Sequence, residues 1–327
     1  MPQPVKALVC LIAAMMVSNI SYAQSFQSTF TAAEQGQAEA QYNLGFIYDT
    51  GRGVPENDVE AVKWYRKAAE QGYASAQNNL GLMYDTGEGV PENDVEAVSW
   101  YRKAAEHGHT SAQYNLGLMY ATGEGVPEND VEAVKWYRKA AEQGYAQAQR
   151  NLGLMYDTGE GVPENDVEAV SWYRKAAEQG YALAQINLGL MYAIGEGVPE
   201  NDVEAAKWYR KAAEQGNASA QDGLGLMYEF GTGVPENDVE AVKWYRKAAE
   251  QGHAEAQYNL GIKYANGEGV PENVINAYVW LSISAAQGDE DAKALTNTVA
   301  DRMTREQIGE AQSLAQTCLA NDYKGCD

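Results

Sequence analysis

Three histidines, three cysteines and 46 carboxylates are the side chains of this 327-residue sequence from which a catalytic or metal centre could most readily be built. His107 and His109 are nearly adjacent, and His253 lies far downstream. A zinc site needs three or four converging ligands, so these histidines read as surface or helix-capping residues. The acidic turns, such as Asp85, Glu88, Glu92, Asp94 and Glu96, suggest calcium. They lack the acids at loop positions 1, 3 and 5 and the glycine at position 6 that a dedicated calcium loop uses. Gly123-Glu124-Gly125 lacks the third glycine of a dinucleotide loop. No Gly-x-Ser-x-Gly, His-Glu-x-x-His or Ser-x-x-Lys occurs, and no pair of carboxylates stands out for glycoside hydrolysis. The residues predict no enzyme, no metal and no cofactor.

The charge balance narrows the partners. With 24 Lys+Arg against 46 Asp+Glu the formal net charge is −22. Phosphate backbones need a basic surface, so nucleic acid is excluded as a partner, and anionic lipid is disfavoured for the same reason. Hydrophobic residues make up 45% of the chain, an ordinary content that argues against general disorder.

Residues 1–23 have the three-part pattern of a secretory signal. Lys6 is followed by an apolar run over 7–17 and by the small pair Ser21 and Ala23. The run is about half the roughly 20 residues needed to span a bilayer. Cleavage after Ala23 and a periplasmic or secreted location are expected, with no membrane insertion afterwards. Cleavage leaves two cysteines, Cys318 and Cys326. An even count in an exported chain predicts one disulfide, stapling only the C-terminus; two free thiols or an intermolecular pair are the alternatives.

The architecture follows from a period. Trp64, Trp100, Trp136, Trp172, Trp208, Trp244 and Trp280 recur every 36 residues, and so do Pro55, Pro91, Pro127, Pro163, Pro199, Pro235 and Pro271. Seven copies span 37–288. In the copy at 109–144, Ala112, Leu116, Met119 and Tyr120 fall at helical spacing. Gly123 ends that helix, and Gly-Glu-Gly-Val-Pro makes the turn. Asn129 caps the next helix, with Glu132 placed to complete a capping box. Val131, Val134, Trp136, Tyr137, Ala140 and Ala141 form its apolar side, and Gly144 ends it. Acids at its start and bases near its end complement the helix dipole.

One hairpin cannot bury such a face, but a stack can. The Trp and Tyr columns are therefore core, and Gly117 is expected where another backbone approaches closely. The fold class is all-α: a solenoid of helix-turn-helix repeats with a C-terminal helical cap. Residues 24–36 are a lead-in and 289–327 hold the cap helices and disulfide tail. In the cap, Thr304 with Gln307 opens a helix whose apolar stripe is Ile308, Ala311, Leu314, Ala315 and Leu319.

The spaced pattern Ala112, Leu116, Gly117, Tyr120, Gly123, Gly125, Val126, Pro127, then Ala133, Trp136, Tyr137, Lys139, Ala140, Ala141, Glu142 and Gly144, resembles the Sel1-like repeat, a relative of the tetratricopeptide repeat. It covers roughly three quarters of the chain. The resemblance implies a right-handed superhelix and an adaptor role in protein–protein contact, often in exported bacterial proteins. Cysteine-rich relatives clamp each repeat with a disulfide and imply a second expectation, a weak hydrolase acting on cell-wall peptide or β-lactam; these repeats have no such cysteines. A third expectation is a component of an envelope assembly. Copy seven drifts from the pattern at 273–281, which predicts a different neighbour.

Columns that differ between near-identical copies are candidates for partner contact. The most variable is Tyr42, Asn78, Tyr114, Arg150, Ile186, Asp222 and Tyr258. Two others are Glu39, Ser75, Ser111, Gln147, Leu183, Ser219 and Glu255, and Asp49, Asp85, Ala121, Asp157, Ala193, Glu229 and Ala265. All share one face of the first helix, around an apolar spine of Phe46, Leu82, Leu118, Leu154, Leu190, Leu226 and Ile262. In related tetratricopeptide repeats that face lines the concave groove. The expected partner is a protein or peptide bound there by a monomer, with Tyr42, Tyr114 and Tyr258 as anchors.

Overall fold

The computed structural model describes residues 24–326, so the signal segment expected at 1–23 lies outside the described residues. Two compact units divide at Pro163 and Glu164, within the turn of copy four. Unit one holds α1 (24–34), α2 (Ala38–Asp49), α3 (Asp58–Glu70), α4 (Ala74–Thr86), α5 (Asp94–Glu106), α6 (Thr110–Thr122), α7 (Asp130–Glu142) and α8 (Ala146–Thr158). Unit two holds α9 (Asp166–Glu178), α10 (Ala182–Ile194), α11 (Asp202–Glu214), α12 (Ala218–Phe230), α13 (Asp238–Ala249), α14 (Ala254–Asn266), α15 (Val274–Ala286), α16 (Glu290–Ala300) and α17 (Arg305–Ala320). The described residues contain no strand. The fold class is an all-α solenoid of helical hairpins, and in each unit a hairpin packs on the next one along the chain.

The local signals act as the residues suggest. Gly123 closes α6 in the left-handed conformation. Asn129 caps α7 by accepting from the Glu132 amide. The Glu132 carboxylate does not close a box; it pairs with Lys135 at 2.9 Å. Thr304 and Gln307 do form the full reciprocal box.

Three contacts lock neighbouring copies. Gly125, at φ +65, lies against the backbone of Asp94; a Cβ there would stand 2.2 Å from its carbonyl oxygen. Arg102 donates to the Tyr120 hydroxyl of the following copy at 2.7 Å. Gln113, although buried, donates from Nε2 to the Ala105 carbonyl at 3.1 Å and accepts from Gln143 at 2.7 Å. These contacts satisfy polar groups that would be costly to bury alone.

The aromatic core is graded. In unit one Tyr65, Tyr101 and Tyr137 are essentially closed to solvent, while Trp64, Trp100 and Trp136 are slightly less so. A lysine one turn on covers each indole: Lys67 lies 3.6 Å from the Trp64 ring centre. The Gly117 column has a different reason from the backbone approach expected. A Cβ on Gly117 would meet the Tyr137 ring at 2.7 Å, so the glycine makes room for an aromatic side chain.

In unit two, Lys263 stands where the other copies place methionine or isoleucine. Its buried ammonium meets Glu229 at 2.7 Å and Asp238 and Glu268 at 2.9 Å. Burial alone would lower its pKa; the three carboxylates outweigh that and raise it. Copy seven packs α15 on α16 and α17 in place of another hairpin. Ala311 and Cys318 are the buried residues of α17, whereas Leu319 faces solvent. Cys318 and Cys326 are disulfide-bonded, and the Tyr323 ring covers Gly252.

Candidate functional site

The first helices of each unit present the apolar spine. Phe46, Leu82 and Leu118 are exposed in unit one and Leu154 is half-buried; in unit two Leu190 and Leu226 are exposed and Ile262 is half-buried. They sit opposite residues such as Leu116, which fill the core, because i and i+2 on a helix point about 200° apart.

The variable column beside the spine lies at the seam between copies. Tyr42 packs its ring 5.8 Å from Tyr65 and 5.1 Å from Tyr73. Tyr114 does the same with Tyr137 and Tyr145. Asn78 is buried and accepts from Asn115 of the next copy at 3.3 Å. Asp222 is buried and accepts from Asn259 at 3.0 Å. Burial pushes its carboxyl pKa up, partly offset by the Asn259 bond. Arg150 reaches Asn151 at 3.3 Å, and Ile186 and Tyr258 are half-buried. The column thus varies together with its seam neighbours, and only part of each side chain remains for a partner.

The carboxylate column has an internal role as well. Asp85 accepts from the Tyr101 hydroxyl at 3.1 Å and Asp49 from Tyr65 at 2.8 Å. Burial raises the Asp85 pKa. On the remaining flank Glu39, Leu183, Ser219 and Glu255 are exposed, while Ser75, Ser111 and Gln147 are half-buried.

Sequence reasoning passed over the buried glutamines of the Gln113 column. Their signal was present: all seven copies keep one polar residue, Gln41 through Gln257, amid apolar neighbours. The histidines are caps. His109 and His253 accept the amides of Ala112 and Ala256, and burial lowers the His109 pKa. Among the described residues no three His, Cys, Asp or Glu side chains are grouped to hold a metal, and no helix is long and apolar enough to cross a membrane. A cavity of about 780 Å³ at the head of unit one is lined by Phe26, Asn43, Phe46, Ile47 and Arg52, so it opens beside the first spine residue.

The arrangement has known counterparts. The family model described as Sel1 repeat matches 38–73, 74–109, 110–145, 146–181, 182–217, 218–253 and 254–289. The chain is similar to the crystal structure of c5321, a protective antigen present in uropathogenic Escherichia coli strains displaying an SLR fold. Identity is 39% over 88% of this chain and 69% of that one, with a TM-score of 0.66. It is also similar to a Sel1 repeat protein from Oxalobacter formigenes, at 36% identity over 86% of this chain and 81% of that one, with a TM-score of 0.71. No curated protein matches.

Proposed function

The chain belongs to the Sel1-repeat family, whose solenoids commonly act as protein–protein interaction scaffolds rather than enzymes, and from that premise we propose that it binds an extended segment of another protein along its first-helix face. The observation that carries this reading is the spine. In copy after copy an aliphatic or aromatic side chain is held outside the core, at one helix position, beside residues that differ between copies. Isolated exposed apolar residues are ordinary, but repeated ones on one side mark a contact surface.

The chain is exported in this reading. The signal pattern at 1–23 supports it, and so does the Cys318–Cys326 disulfide, a bond that persists in oxidising compartments. N-terminal sequencing of the protein from its native envelope fraction should begin at Gln24; an intact Met1 rejects export.

The binding test compares affinity capture by the wild-type protein with capture by a Leu82→Lys/Leu118→Lys variant. Both residues are exposed, so the variant keeps its fold, checked by circular dichroism. Proteins retained by the wild type and lost by the variant support the proposal. An identical set of captured proteins rejects this face.

A further inference from the structure

Copies five and six depart from the others in two ways at one place in unit two. First, α10 carries Leu183, Ile186, Leu190 and Ile194, where copy three has Ser111, Tyr114, Leu118 and Thr122. It contains no charged residue. Leu183 and Ile194 are 42% and 48% exposed. On α12, Leu226 and Phe230 occupy the positions of Leu190 and Ile194, and Phe230 is 69% exposed. Helical spacing puts 183, 190 and 194, and likewise 226 and 230, on the spine side.

Second, the floor between these helices has been hollowed. The Tyr209 ring of α11 lies between Gly189 and Gly223; a Cβ on either would stand 2.9 Å from it. Its counterparts have hydroxyl partners. Tyr65, Tyr101 and Tyr245 donate to Asp49, Asp85 and Glu229, and Tyr137 bonds Asn151. At Tyr209 the corresponding positions are Ala193 and Gly223. Its hydroxyl has no hydrogen bond among the described residues, and its ring is half-buried where those of Tyr65 and Tyr101 are closed off. Glu196, in the turn after α10, is exposed, and the chain as a whole is strongly acidic at −22.

We propose that this hollow seats one aromatic or long aliphatic side chain of a partner protein's extended segment, with a Lys or Arg beside it, and that the Tyr209 hydroxyl hydrogen-bonds the segment's main chain. The rim supplies apolar area, Glu196 and the acidic surface of the chain favour a basic flank, and the free hydroxyl fixes register. A second copy of this chain fits worse, because two surfaces of a −22 protein repel. The proposal rests on the first-helix reading above and localises it to copies five and six.

The test pans a random dodecapeptide phage library on the purified protein and measures synthetic versions of the enriched peptides by fluorescence anisotropy. Enriched sequences should place an aromatic or aliphatic residue within two positions of Lys or Arg. Ile194→Lys/Phe230→Lys should weaken them at least about tenfold, Tyr209→Phe by about threefold to tenfold, and Leu82→Lys/Leu118→Lys by less than about twofold. Loss on the Leu82/Leu118 variant alone overturns this location but keeps the first-helix reading. Equal affinity for every variant overturns both. An acid-rich consensus, no enrichment, or a dimer in sedimentation that Ile194→Lys/Phe230→Lys splits overturns the proposed occupant.

Discussion

Nε2 of Gln143 donates to Oε1 of Gln113 at 2.7 Å, tying the end of α7 to α6 within copy three. One copy earlier the same bond is missing. Gln77 Oε1 is buried without a partner, because position 107 holds His107 where copies one and three to seven have glutamine. His107→Gln should supply the donor and stabilise unit one by about 1 kcal/mol. Gln143→Ala should orphan Gln113 and cost about 1–3 kcal/mol. Urea unfolding followed by circular dichroism reads both; equal midpoints for wild type and His107→Gln dismiss the argument.

Gly117→Ala tests the aromatic reason for the glycine column. Alanine favours an exposed helix interior by about 1 kcal/mol. Here the new methyl would press on the Tyr137 ring at 2.7 Å, and overpacking costs about 1–3 kcal/mol. A net loss of stability is expected. Tyr137→Ala in the same chain should make the alanine tolerable by removing the ring; leucine would not, since Leu281 lies 2.6 Å from where a Cβ on Gly261 would stand in copy seven.

Lys263→Met would restore an ordinary methionine but leave Glu229, Asp238 and Glu268 facing one another. A loss of about 2–3 kcal/mol is expected, below the 3–5 typical of fully buried pairs because Asp238 and Glu268 reach solvent. Adding Glu229→Ala, the residue of three other copies, should recover part of it. Strict additivity in the double-mutant cycle would contradict the cluster.

Alkaline pH should unfold the protein through its buried phenols. Burial is the main cause that pushes the Tyr137 pKa up to about 12, against an unfolded value of 10.0; the buried Tyr101 shifts in the same direction. The unfolded chain releases protons first, so this stabilisation is whole below pH 10 and is lost as pH rises toward 12. Urea midpoints should hold between pH 8 and 9.5 and fall above 10. A flat profile to pH 11.5 excludes it.

Reduction of the Cys318–Cys326 bond should free the tail and lift Tyr323 from Gly252. Trypsin should then cut after the exposed Lys324 several-fold faster, while helicity stays unchanged. Equal cleavage rates with and without reductant would mean that packing alone holds the tail.

The helices, their caps and the turns were legible because each signal recurs in copy after copy. Asn129 acts through its own side chain on an amide three residues on and Gly123 through its own backbone, so sequence neighbours suffice to place them. The Gln113 column was missed because a lone glutamine in a helical pattern looks like a surface residue until its carbonyl partner, eight positions back, is known. The variable column reads in sequence as a surface for a partner, yet Asn78 answers Asn115, 37 residues away. The hollow at Tyr209 depends on Ala193 and Gly223, small residues that mean little until the chain brings them to one ring.

The seat that Gly125 finds on Asp94 recurs at Gly161 on Asp130 and, in unit two, at Gly197 on Asp166, Gly233 on Asp202 and Gly269 on Asp238. Every interior joint is therefore interchangeable, and unequal recombination can add or delete a whole module without remaking a boundary. Copy seven does not pass the joint on, since Val274 and Ser282 stand where the other copies have the aspartate of that seat and the arginine that reaches the next tyrosine. Descendants of this gene should differ in length by multiples of one module, gained or lost upstream of an unchanging last segment.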